Sequence, residues 1–416
     1  LSRFKVLAGL PREVKVLTTA GFFVAVGFGV IVPAMPLYAK SFGATNTAVG
    51  LIVSMFAVAR FSSGLFSGKL VDRFGERLVF AVGITMVSFF TLLCALAHSF
   101  TQLLIFRSAG GLGSSMFSVA AASIIMRSVS DDQRGRAQSI YNGSFLLGGI
   151  TGPAIGGVLT AISLRAPFFT YSITLFLAGA TGYFFLTPGK PASHPKIKES
   201  TNLSMAEALK MLPYRTALLL AFVTNWILFG MRSSILPLFV TEELHSTTAI
   251  VGLGFTLAAL FQGALLLPAG TLSDLRGRRV ALSIGTTVVM AGVLILIFAI
   301  HPWMYLAAMC VTGLGGAFLS TTPANIVGDI IRGKSGQVIA LWQMAGDAGM
   351  IIGPITVGFL SDVYSFRAAF VVSAAVFSIS ILLAYQLPET RQSHLIVAQD
   401  GEQAQDLHIE PDYGDH

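Results

Sequence analysis

Apolar stretches of roughly twenty residues recur along the whole chain, divided by short polar turns, and no other feature limits the fold so severely. A helix rises about 1.5 Å per residue, so ~20 apolar residues cross the ~30 Å hydrocarbon core of a bilayer. Hydropathy places spans at 16–39, 47–69, 78–98, 100–127, 136–161 and 166–186, then at 214–240, 247–270, 280–300, 302–331, 336–361 and 366–387. With 54% hydrophobic and only 11% charged residues, the chain cannot coat a soluble domain, which carries roughly 25% charge. The expected class is an all-α integral membrane protein of twelve transmembrane helices. The first apolar run is too long for a signal peptide, and the short connections leave no room for an inserted catalytic domain.

Of 27 Lys and Arg, three (Lys40, Arg165 and Arg367) fall in loops on one side of such a bundle. Three more, Arg60, Arg107 and Arg232, fall within spans, and the remaining 21 lie on the other side. Basic loops stay in the cytoplasm, so both termini are expected there, in the cytoplasmic membrane of a bacterium. The net charge of +7 then reflects topology, and no nucleic-acid partner is expected. A stretch rich in Pro, Lys and Ser, 187–213, divides a six-helix bundle at 1–186 from a second at 214–390. Beyond Arg391 come six acids and no Lys or Arg, so 391–416 reads as a disordered cytoplasmic tail. Cys94 and Cys310 lie in apolar runs without metal-ligand spacing, and no metal is expected.

The two bundles are copies. Gly68-Lys-Leu-Val-Asp72-Arg73-Phe-Gly75-Glu-Arg77 follows the second span, and Gly270-Thr-Leu-Ser-Asp274-Leu-Arg-Gly277-Arg-Arg279 follows the eighth, at an offset of 202. Gly111-Leu-Gly113 repeats as Gly313-Leu-Gly315 at the same offset; Gly152-Pro153 and Pro36-Leu37 repeat as Gly353-Pro354 and Pro237-Leu238 at 201. Six spans per copy is an even number, so both copies share one orientation, and a solute site is expected near the midplane between them.

The 68–77 segment resembles the loop 2–3 signature of the major facilitator superfamily, G-x-L-x-D-R-x-G-x-R, and 270–279 resembles its weaker second copy. The likeness covers 15–388 and implies that this segment gates the cytoplasmic side, with Asp72, Arg73 and Arg77 meeting helix ends and neighbouring charges. Gly148-Gly-Ile-Thr-Gly152-Pro153-Ala-Ile-Gly156-Gly157 resembles the antiporter motif of the drug–proton exporters in that superfamily. Gly148, Gly152 and Gly156, four apart, make one smooth stripe for another helix, and Pro153 permits a bend. Gly349, Gly353, Pro354 and Gly358 form a looser copy.

A charge at the bilayer centre costs about 2.5–3.5 kcal/mol even on lenient scales, so mid-span charges default to a functional reading. Arg107, in Arg107-Ser-Ala-Gly-Gly111-Leu-Gly113, resembles the family's fourth-span motif, which implies a part in proton transfer. An arginine cannot release a proton itself but can tune an acid or hold an anionic group. Arg60 shares a face with Ser63 and Ser67, and its repeat counterpart is Gln262. Arg232 shares a face with Asn225 and faces either the cavity or an outer vestibule. Asp347, one turn from Gln343, is the one carboxylate placed mid-span, and no histidine competes with it. It is therefore the candidate proton carrier, unless a permanent salt bridge locks it to the second or fourth span. The acid that many drug exporters carry in the first span is absent from 16–39.

The expected function is export of a small organic molecule by proton antiport through alternating access, in a monomer. A metabolite or organic-anion carrier on the same fold is the rival, since three mid-span arginines outnumber one aspartate. Gly328 to Ser335 spells G-x-x-x-x-G-K-[ST], but it closes an apolar span instead of joining a strand to a helix, so no nucleotide cofactor is expected. A membrane enzyme would need converging nucleophile, base or metal ligands, which the spans lack; a transport-dead receptor stays open.

Overall fold

The computed structural model describes residues 11–129, 134–187, 205–331 and 336–389; the acidic tail and most of the 187–213 connection lie outside them. Twelve helices among the described residues are long and apolar enough to cross a membrane. The first bundle holds α1 (Arg12–Ile31), α2 (Asn46–Phe74), α3 (Glu76–Ala95), α4 (Phe100–Ser128), α5 (Arg134–Ile162) and α6 (Ala166–Phe185). The second holds α7 (Leu212–Glu243), α8 (Thr248–Arg276), α9 (Arg278–Ile297), α10 (Pro302–Ile331), α11 (Gly336–Val363) and α12 (Phe366–Gln386). Each bundle buries its own apolar core, around Ile31, Phe80, Leu103 and Phe168 in one and Phe255, Tyr305, Phe370 and Phe377 in the other.

Prolines explain where two helices depart from the uninterrupted runs expected at 16–39 and 214–240. The first helix begins earlier, turns at Val32 and Pro33, and resumes as a short helix, Ala34–Lys40. Pro36 has no N–H and its ring crowds the carbonyl four residues back, that of Val32. In α7, Pro237 stands at the equivalent place, and the chain answers differently, with a π-helical run at Trp226–Ile235. Ser233 Oγ donates to the Leu228 carbonyl, five residues back, at 2.8 Å. A short helix, Met205–Lys210, also falls within the stretch read as linker.

The 68–77 and 270–279 segments are not loops. Helix α2 continues through Asp72 to Phe74 and α8 through Asp274 to Arg276, and the whole turn is one glycine in each case. Gly75 (φ 80°) and Gly277 (φ 99°) adopt a backbone that a side chain would strain.

The bundles meet along two seams at the face remote from residue 187, here called the far face; the other is the linker face. In one seam α2 packs on α11, where a Cβ on Gly50 would fall 2.1 Å from the Pro354 carbonyl oxygen and one on Gly358 would fall 2.4 Å from that of Asn46. In the other, α8 packs on α5 through the equivalent residues: Gly252 against Pro153 (2.4 Å) and Gly157 against Thr248 (2.9 Å). Both seams open toward the linker face. On α8 the clearance grows to 3.5 Å at Gly263, facing Leu146, and at Gly270 none of the described residues lies within 4 Å; Gly68 on α2 is equally open among them. The halves therefore form a wedge closed at the far face.

Candidate functional site

Inside the wedge lies a cavity of about 510 Å³ bounded by α2, α4, α7 and α11. Arg60 and Ser118 line it from the first half, and Asn225, Trp342, Gln343 and Asp347 from the second. Four of the residues singled out from sequence (Arg60, Asn225, Gln343 and Asp347) thus converge on one space. Arg60 is exposed into the cavity and Asp347 half-buried on the facing wall. No ion pair within 4.0 Å joins Asp347 to a cation among the described residues, so the permanent lock considered above is not made. Asn225 is anchored through Nδ2, which donates to the Ala221 carbonyl at 2.9 Å. Trp342 Nε1 is buried without a hydrogen-bond partner among the described residues, an unused donor on the cavity wall. Ser67 Oγ donates to Ser115 Oγ at 3.1 Å, tying α2 to α4 beside Arg60.

The other two mid-span arginines lie elsewhere. Arg107 is 8% exposed and stacks over the Phe56 ring at 4.2 Å, beside Tyr171. It lines a small space of about 40 Å³ with Phe28, Phe229 and Met350, between the central cavity and the far face. Arg232 and Gln262 line a third cavity within the second bundle, with Asn225 on the wall it shares with the central cavity. Arg232 rests over the Phe255 ring at 5.0 Å and donates to the Phe255 carbonyl at 3.4 Å, so it faces the bundle interior rather than an outer vestibule.

The antiporter motif divides between two jobs. Gly148, Gly152 and Gly156 press α5 onto α1 of the same bundle, with Cβ positions 2.4 Å from Ala25 Cβ, 2.5 Å from the Val26 carbonyl oxygen and 2.2 Å from that of Val30. The Pro153 carbonyl and Gly157 face α8 across the seam, while the ring of Pro153 lies against Gly29 of α1. Three of the gate-motif charges engage within their own halves: Arg77 Nε donates to the Tyr183 carbonyl at 2.8 Å, Arg73 lies over the Phe74 ring, and Asp274 meets Arg278 at 2.5 Å. Asp72 is exposed on the last turn of α2.

Sequence reading missed the far-face latch. Asp362, at the end of α11, accepts from the backbone N–H groups of Asn46 (2.8 Å) and Thr47 (2.7 Å) and from Thr47 Oγ1 (2.6 Å). A carboxylate there satisfies the open amides at the start of α2 and its positive dipole end. Lys40 and Glu242 add a cross-half pair at 3.6 Å. Gly50 and Gly252 were also passed over, although their offset of 202 is the repeat's own.

Two matching six-helix bundles around a polar cavity that opens to one face define a solute carrier, not an enzyme. The Major Facilitator Superfamily pattern matches residues 17–239 and again 218–406, and the chain belongs to that superfamily as a membrane transporter. An uncharacterised MFS-type transporter of Methanocaldococcus jannaschii is 26% identical over 380 residues, covering 89% of this chain and 98% of the relative. The quinolone resistance protein NorA of Staphylococcus aureus is 24% identical over 370 residues, covering 85% and 91%. Among solved structures, a bacterial homologue of the human lysosomal transporter Spinster, inward-facing and occupied, superposes with a TM-score of 0.74 at 16% identity, covering 90% and 95%. A POT family transporter bound to 5-aminolevulinic acid gives 0.73 at 13%, covering 91% and 95%.

Proposed function

We propose that this transporter exports a small organic molecule in exchange for protons, with the linker face in the cytoplasm and the central cavity as the substrate's entry. The observation that carries the reading is the pairing of Asp347 and Arg60 across one cavity without a fixed salt bridge. A carboxylate held near, but not locked to, a guanidinium on the other half can take up and release a proton as the halves move. Asp347 is the proton carrier in this reading, and Arg60 sets its affinity. The far-face latch and both glycine seams hold the wedge in the state open to the linker face. Opening the far face would release substrate outward, and the 68–77 and 270–279 segments would then close the linker face. Basic residues crowd the linker face, which supports the orientation. The antiporter motif and the likeness to a quinolone resistance protein support outward drug-like transport.

The test is substrate accumulation in proteoliposomes at two imposed pH gradients. Tenfold in proton activity is worth about 1.4 kcal/mol per proton, so wild type should concentrate substrate in step with the gradient. Asp347→Asn should bind and exchange substrate yet fail to accumulate it. Accumulation by Asp347→Asn equal to wild type would place the proton path elsewhere.

A further inference from the structure

The second bundle is hollow where the first is solid. A cavity of about 320 Å³ lies among α7, α8, α9, α10 and α12, with walls that include Leu228, Met231, Val289 and Phe377. In the first bundle the position equivalent to Arg232 is Ile31, 1% exposed and packed in the core, and Tyr171 is buried there against Gly27. The hollow contains a cation with no carboxylate within 4.0 Å among the described residues: Arg232, whose fork spends one donor on a backbone carbonyl. It also holds Thr224 Oγ1, buried without a hydrogen-bond partner among the described residues, and the amide of Gln262. Its inner wall is the π-helical run of α7, which supplies Ile227, Leu228, Met231 and Arg232. Such π segments are rare and concentrate at functional sites.

A guanidinium without a counter-ion in an apolar chamber is costly unless an anion meets it. Its planar fork matches a carboxylate in two parallel hydrogen bonds. We infer that this chamber is a binding subsite for an amphipathic organic acid, the carboxylate on Arg232 and the apolar body against Leu228, Val289 and Phe377. Asn225, common to both cavities, marks the route from the central cavity into it. The inference rests on the transporter reading for its meaning, since it names the substrate class, but the binding itself needs no proton gradient.

The experiment compares three probes of one shape, 2-naphthoate, 2-naphthalenemethanol and 2-naphthylmethylammonium, titrated onto the purified full chain in nanodiscs. Naphthoate should bind at least tenfold tighter than the neutral and cationic probes. Arg232→Gln should erase that preference, and Arg232→Lys should keep part of it. Gly316→Leu gives a check that leaves the charge in place, because a Cβ there meets the end of the Gln262 side chain at ordinary contact distance, Oε1 at 3.6 Å and Cδ at 3.7 Å, and the longer side chain fills the chamber. It should weaken naphthoate binding at least tenfold with the protein still monodisperse. Equal binding of the three probes by wild type would overturn the inference. So would naphthoate binding that survives both Arg232→Gln and Gly316→Leu but falls with Arg60→Gln, which would move the site to the central cavity. Naphthoate held at Arg232 but never moved in proteoliposomes would sink the export reading and leave the subsite standing.

Discussion

The two bundles share one scaffold and reverse its charges. At the start of α3 stands Glu76, 1% exposed, paired with Arg127 near the end of α4 at 3.4 Å. Their counterparts, 202 residues on, are Arg278 and Asp329, paired at 3.0 Å. In the first half the acid occupies a helix N-terminus and the base a C-terminus, as the helix dipoles favour. The second half has both ends the wrong way round. It compensates by bringing Glu389 from beyond α12 onto the amides of Arg278 (2.8 Å) and Arg279 (3.3 Å). The seat exists because residue 277 has no side chain: a Cβ there would lie 2.1 Å from Glu389 Oε2. A repeat thus conserves backbone approach and the fact of a pair, while its polarity is free to invert. The interiors diverge by the same logic, one filled by Tyr171 and the other left open around Arg232.

The hardest test of this comparison separates contacts within a half from contacts between halves. Gly152→Leu should abolish folded protein, because its side chain would enter the α1 backbone, and overpacking of that kind costs about 1–3 kcal/mol or more. Gly157→Leu and Gly358→Leu should both yield folded protein with transport reduced at least tenfold, since they only part the seams. Size-exclusion profiles with flux assays decide this. Unequal outcomes for the two seam variants would show that the seams are copies in shape and not in role.

The inverted pairs come next. Arg127→Met leaves Glu76 buried with little beyond a 3.3 Å hydrogen bond from Ser123, and breaking a buried pair costs about 3–5 kcal/mol. Arg127 is partly exposed, so the loss should fall at the low end of that range. Glu76→Arg combined with Arg127→Asp gives the first half the polarity of the second. It should recover most of the stability yet fall short by about 0.3–1 kcal/mol per helix end, for want of a Glu389 equivalent. Thermal unfolding of the singles and the double measures it, and full recovery would remove the dipole argument.

The latch is expected to matter less to folding than to conformation. Asp362→Ala removes hydrogen bonds to a charged group worth about 1.5–3 kcal/mol, which would shift the balance toward an open far face by tenfold or more. Spin labels at Ser41 and His245 should report a longer, broader distance distribution. An unchanged distribution would mean that the glycine seams alone hold that face. The smallest effects belong to the arginine platforms. Phe56→Leu and Phe255→Leu should each cost about 0.5–2 kcal/mol, more at Phe56, where the guanidinium lies at 4.2 Å against 5.0 Å.

Much of this architecture was legible in the chain. Apolar run lengths specify twelve spans because a bilayer of given thickness admits few other solutions. The offset of 201–202 links Gly50 to Gly252 and Pro153 to Pro354 whatever the fold, and it makes the two seams equivalent before any coordinate is known. The convergence of Arg60 with Asp347 followed from the cost of a charge in lipid, which drives such residues to a common interior. Tertiary structure alone decided the rest. The glycine stripe of α5 was visible, but which glycines face α1 and which face α8 depends on how the helix is rotated, and spacing is blind to that. Arg107, Arg232 and Arg60 shared one reading as mid-span charges, Arg107 with a family motif besides, and parted company because a helix places each charge at its own depth and bearing. Asp362 reads as an ordinary loop acid until α2 is brought, from 315 residues away, to set its open amides against it. A local pattern can specify which face of a helix is polar; what that face meets is set only when the two halves pack.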